Sequence, residues 1–286
     1  MKIIFKNKYR ELRSGWALLL LGISLFMAMM LVGFSVAFIT GDWAIRLFST
    51  PFVDYPIMSA TVILLFWIIY KRPIRQMGLY ANGWSKQLLF GILFGAILII
   101  IIIAIMSLSG LLNFIGVNFN HITYSQFWAG LLVFVGVGFF EELLSRGFIM
   151  TTLKTTRNKW VIVILSSFIF GVLHIANLST TPFALINITL IGILIAYLFI
   201  KTGRLWAPIG VHFAWNFVQG NIFGSLVSGV DTISIMQLEI IGAEWLTGGE
   251  FGLEGGIICT IVTLFGLIYV HFCIKQNNGF WQIETA

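Results

Sequence analysis

Long apolar runs separated by short polar breaks dominate the chain, and eight of them read as membrane helices: residues 16–39, 56–70, 87–107, 127–150, 160–175, 183–200, 205–223 and 255–274. A helix needs about 20 residues to cross a bilayer. The run 56–70 must therefore borrow from its flanks, and 87–107 can extend towards Leu112. The first run exceeds the about 7–15 apolar residues of a signal peptide and reads as a retained span.

The polar breaks orient these helices. With both termini cytoplasmic, the inner segments hold Lys2, Lys6, Lys8, Arg10 and Arg13, then Lys71, Arg72, Arg75 and Lys86. Arg146, Lys154, Arg157, Lys159, Lys201, Arg204 and Lys275 complete the inner set, which leaves Arg46 alone outside. Cationic residues gather on the cytoplasmic side of membrane proteins. The loop 224–254 has no Lys or Arg and carries Asp231, Glu239, Glu244, Glu250 and Glu254, which suits the outer face. The pattern predicts an all-α polytopic membrane protein of about eight transmembrane helices, N-in and C-in. It forms one membrane domain, 1–286, with no repeat, linker or soluble unit.

Composition agrees: 59% of the 286 residues are hydrophobic and 10% charged, against about 25% charged in soluble domains. The net charge of +6 sits in short stretches between apolar runs, which fits membrane orientation and no nucleic-acid partner. Cys259 and Cys273 share one helix about 21 Å apart, too far for a disulfide. Both read as small buried apolar side chains.

Ionisable groups inside this apolar chain are the candidates for chemistry, because an ionised side chain at the centre of a membrane helix costs about 2.5–3.5 kcal/mol on insertion scales. Glu141 and Glu142 fall near the middle of a helix running from Phe127 to about Lys154, roughly 42 Å long. Glu142 and Arg146 are spaced i,i+4 and can form an ion pair. Glu141 points about 140° away from Arg146 and is left free. A purely architectural pair explains Glu142 and Arg146 but not Glu141. Phe170 and His174 share a face of the fifth helix. His212 and Asn216 share a face of the seventh, where Gly203 and Pro208 set the helix entry. Buried polar groups need partners, so these side chains should face one another or trapped water. If the inner helix ends are level, however, Glu141 and His174 lie about 20 Å deep and His212 about 10 Å. His121, in an outer loop, and His271, in the last helix, have no helical polar partner and read as bland. Asn187 reads as a cross-helix hydrogen-bonding group.

Glu141-Glu142-x-x-x-Arg146, Phe170-x-x-x-His174 and His212-x-x-x-Asn216, in this order on separate helices, resemble the CPBP family, the CAAX prenyl protease and bacteriocin-processing (Abi) proteins. The flanks Arg146-Gly147, Leu205-Trp206-Ala207-Pro208-Ile209-Gly210 and Leu246-Thr247-Gly248-Gly249 are similar to it too. The likeness covers about 125–256, the expected catalytic core, and no family signature precedes Phe127. It implies an intramembrane endopeptidase, of glutamic type though formerly regarded as a metalloprotease, with a buried active site. The substrate would be a membrane-associated protein or peptide, and the process CAAX-type processing, bacteriocin maturation or self-immunity. In that reading Glu141 and His174 activate water, His212 and Asn216 stabilise the oxyanion, and Glu142, Arg146 and Phe170 support them. No cofactor is expected; if zinc is used, its ligands would be Glu141, His174 and His212. The lipid bilayer is the other expected partner, in a bacterial plasma membrane. Two alternatives stay open: a non-catalytic membrane immunity or scaffold protein, and a proton-coupled transporter, since intramembrane acid and His chains also relay protons. The paired repeats common in transporters are not visible here.

Overall fold

The computed structural model of the chain describes residues 5, 12–40, 51–277 and 279–282. Lys2, Lys6, Lys8, Arg10 and Arg46 of the charge count lie outside the described residues. Among the described residues, eight helices of twelve residues or more match the eight apolar runs: α1 (Ser14–Thr40), α2 (Pro51–Tyr70), α3 (Trp84–Leu108), α4 (Ser125–Glu142), α5 (Lys159–Leu173), α6 (Pro182–Thr202), α7 (Trp206–Phe217) and α8 (Ile257–Cys273). α4 runs on as a wide π-helical stretch, Leu143–Ile149, and α7 as another, Val218–Ile222.

Local chemistry sets the helix ends. Asn158 accepts from the backbone N–H groups of Trp160 and Val161 to start α5. Thr181 caps α6, with Pro182 in the first turn where a missing N–H costs nothing. Gly203 closes α6 at φ +64, a left-handed turn that glycine adopts without strain. α2 begins earlier than expected, so Pro56 falls inside it.

Five helical stretches are long and apolar enough to cross a membrane: Ser14–Phe38, Pro51–Tyr70, Trp84–Leu108, Ser125–Thr156 and Pro182–Thr202. Helices α5, α7 and α8 are shorter than these five. The fold is also not wholly helical. Leu112–Val117 (β1) pairs antiparallel with Met236–Ile240 (β2), with a bulge between Phe114 and Gly116.

Contacts between helix ends sort the bundle into two ends. Ser14 Oγ donates to Thr152 O, and the Tyr70 and Thr152 hydroxyls lie 2.8 Å apart. Lys201 Nζ donates to His271 O and Ile274 O, and Leu205 N to Gly78 O. The start of α1 and α7 and the ends of α2, α4, α6 and α8 therefore meet at one end. The β1–β2 pair, joined to α3 through the Ile241 N to Leu111 O bond, lies at the other.

α3 and α7 make the most extensive helix contact. Gly91 and Gly95 on α3 form a Gly-x-x-x-Gly face against the α7 backbone. A Cβ at Gly91 would run into the Ala207 carbonyl and one at Gly95 would sit 2.5 Å from Val211 O, while a Cβ at Gly210 would strike Leu88 O. Small residues let membrane helices approach this closely. Gly95→Ala is expected to destabilise the protein by about 1–3 kcal/mol through overpacking, read as a lower midpoint of thermal unfolding in detergent.

Candidate active site

The π-helical stretches begin directly after the acidic pair and two residues after Asn216. Widening a helix by about one residue per turn rotates the side chains beyond it, and such bulges recur at functional sites. Here the change leaves Glu141, Glu142 and Arg146 at the junction of α4 with α5, α6 and α7.

Glu142 and Arg146 are 0% and 1% exposed and form the expected pair, Nη1 to Oε1 at 2.7 Å. Arg146 Nη2 also donates to Gly192 O on α6 at 2.9 Å, and its guanidinium stacks 4.6 Å from the centre of the Phe170 ring. The same Glu142 oxygen accepts from His212 Nδ1 at 2.8 Å. Glu142 is thus a bridge between α4 and α7, a link that helical spacing within α4 does not reveal. A carboxylate only accepts, so the His212 proton sits on Nδ1.

Glu141, 23% exposed, turns towards the two imidazoles. Its Oε2 lies 3.7 Å from His174 Nε2 and 3.7 Å from His212 Nε2. His174, just beyond the end of α5, donates from Nδ1 to Phe170 O at 2.8 Å, which presents Nε2 to Glu141. Phe170 fills the space between, its ring centre 4.6 Å from that of His174 and 6.0 Å from that of His212. Asn216, one turn after His212, is buried on the wall of the same cavity. This cavity encloses about 810 Å³ and is lined by Glu141, Phe170, His174, His212 and Asn216. Side chains that level helix ends would hold about 10 Å apart in depth therefore meet, so the ends are offset or the axes cross.

Among the described residues, no three His, Cys, Asp or Glu side chains form a group that can hold a metal ion.

Further polar residues line the cavity without a motif to announce them, among them Tyr55 from α2, Ser145 within the π-helical stretch, and Glu254. Glu254, from the acidic loop, is 2% exposed, with Oε2 accepting from Ser228 N at 2.9 Å. Burial pushes its carboxyl above the ordinary range, and the Ser228 N–H works against that shift. Asn187, expected to bond across helices, holds this loop, donating to Glu254 O at 2.8 Å and Gly256 O at 2.9 Å. The remaining candidates lie elsewhere. His121 bonds Asn118 and Ser234 O beside the β pair. His271 is not without a partner, because its Nδ1 lies 3.0 Å from the Tyr197 hydroxyl on α6. Both cysteines are free; Cys259 is buried as expected, but Cys273 is exposed.

The family model of the Type II CAAX prenyl endopeptidases, Rce1-like, matches residues 123–218. That stretch, about a third of the chain, contains all three motifs, and likeness to the CAAX protease family is established over it. It stops short of Glu254 and leaves out α1, α2 and α3. Neither the curated proteins nor the solved structures compared contain a match.

Proposed function

We propose that the chain is an intramembrane endopeptidase of CAAX-protease type that hydrolyses a peptide bond of a membrane-associated protein or peptide with a water activated by Glu141. The observation that carries this reading is the approach of both His174 Nε2 and His212 Nε2 to one oxygen of Glu141, at 3.7 Å each, on the wall of a single cavity.

In the hydrolytic step, a water between Glu141 and His174 attacks the scissile carbonyl carbon while Glu141 takes its proton. The His174 ring, with Nδ1 donating to Phe170 O, holds that water through Nε2. The tetrahedral oxyanion receives hydrogen bonds from the Asn216 amide and, when the ring is doubly protonated, from His212 Nε2–H. Glu141 then returns the proton to the leaving nitrogen as the C–N bond breaks. Glu142 holds His212 in orientation and is itself fixed by Arg146.

In this reading the enzyme sits in a bacterial plasma membrane with both termini cytoplasmic, as the distribution of Lys and Arg favours. Its biological outcome is CAAX-type processing, bacteriocin maturation or self-immunity. Comparison of membrane peptides from cells carrying wild type and Glu141→Gln tests the activity and identifies the substrate together; identical peptide profiles overturn it. Asn216→Ala is expected to lower kcat by about 10²–10³-fold, the range for loss of one oxyanion donor, with KM little changed. A variant that matches wild type in a peptide cleavage assay removes Asn216 from the mechanism.

A further inference from the structure

We propose that the Glu254 side of the cavity is a subsite for a cationic side chain, Lys or Arg, carried by an internal segment of the peptide substrate. The inference rests on the endopeptidase reading and narrows its substrate class.

The lining of the cavity has an uneven charge. It includes Glu141 and Glu254 but no Lys or Arg side chain. The buried cation nearest the motifs, Arg146, is committed to Glu142 and Gly192 O. A peptide whose free terminal carboxylate had to enter would meet two acids and no guanidinium or ammonium group, with the His174 and His212 imidazoles already facing Glu141. An internal segment avoids that repulsion, and a basic side chain on it turns the same charges into attraction.

Glu254 lines the cavity, and its loop is held by more than its carboxylate. The loop around it is secured by its backbone: Asn187 binds the Glu254 and Gly256 carbonyls, and the Asn187 Oδ1 in turn accepts from Thr260 Oγ1. Gly252, at φ +102, turns the chain where a Cβ would collide with the Leu226 carbonyl. The carboxylate itself takes the Ser228 N–H at 2.9 Å and its hydroxyl at 3.4 Å, with the side chains of Gln219 and Trp215 also approaching. A carboxylate desolvated to this degree gains from a cation brought to it.

A second observation points to a bound peptide. Ser145 is 1% exposed, lines the same cavity and has no hydrogen-bond partner among the described residues. A helical serine ordinarily bonds the carbonyl one turn back. This hydroxyl, one turn after Glu141, instead keeps its donor and acceptor unused at the cavity lining.

The test uses the full chain in detergent or nanodiscs with internally quenched peptides built on a sequence that wild type cuts. Arg, Gln or Glu is placed in turn at each position flanking the scissile bond. At one position Arg is expected to exceed Glu by about tenfold or more in kcat/KM, as for a desolvated charge pair. E254Q should collapse that Arg-to-Glu ratio towards about one, and E254K should invert it. The ratio is read within each variant, so partial loss of folded protein cancels. Wild type with no position that favours Arg over Glu overturns the subsite even if neither variant folds. A full Arg preference retained in E254Q overturns it equally. If no parent sequence cut by wild type but not by Glu141→Gln is found, the endopeptidase reading falls and the subsite with it, whereas cleavage without charge preference removes the subsite alone.

Discussion

Glu141→Gln is expected to lower peptide hydrolysis by about 10²–10⁴-fold, the range for loss of a general base, while leaving the bundle folded. The two halves of that statement have separate causes. Glutamine keeps the shape of the side chain and can still accept from a water, but it cannot take a proton at neutral pH. The fold has little to lose, because Glu141 is 23% exposed on the cavity wall and its Oε2 has no hydrogen-bond partner among the described residues. The check is cleavage of a quenched peptide alongside the thermal unfolding midpoint of the same preparation. Activity near that of wild type would move the base role elsewhere. A collapse of the unfolding midpoint would mean that Glu141 is structural.

Glu142→Gln is expected to do the opposite and damage the fold. Removing one partner of a buried ion pair strands the other, at a cost of about 3–5 kcal/mol. Arg146, 1% exposed, would keep Gly192 O and the Phe170 ring but lose its carboxylate. His212 would exchange a charged acceptor for a neutral amide whose NH2 can turn towards Nδ1, so activity should fall with stability. The double substitution Glu142→Met with Arg146→Met separates these effects. Replacing both charges with packed apolar groups should recover most of the stability and none of the activity. A Glu142→Gln variant as stable as wild type would show that the pair is dispensable to the fold.

The bundle was legible from the sequence because hydropathy is a one-dimensional signal: every apolar run became a helix. Its failures are geometric. Helices α5, α7 and α8 are shorter than the five long ones, a difference that hydropathy does not register. The i,i+4 arithmetic within α4 found the Glu142–Arg146 pair. It could not find His212 on the same carboxylate, because that bond crosses helices with no fixed spacing. The burial of Glu254 was not legible for a related reason: Asn187 holds its loop against α6 through bonds that no spacing announces. The Gly91-x-x-x-Gly95 spacing was available in the sequence as a packing signal and passed unnoticed among more polar candidates. The approach of Glu141, His174 and His212 despite their unequal depths depends on relative helix placement, which periodicity does not encode.

The glycine seam between α3 and α7 also decides which wall of the cavity can yield. With Gly91, Gly95 and Gly210 at the seam, there are no rotamers there to rearrange, so α7 carries His212 and Asn216 as part of a stiff half. The facing wall is furnished differently, with Leu25 of α1 and Met58 of α2 reaching the cavity. These flexible side chains can swing aside without backbone movement. The architecture divides labour between a fixed anvil, which keeps the reacting groups in register, and a compliant flank that adapts to the bulk of what enters.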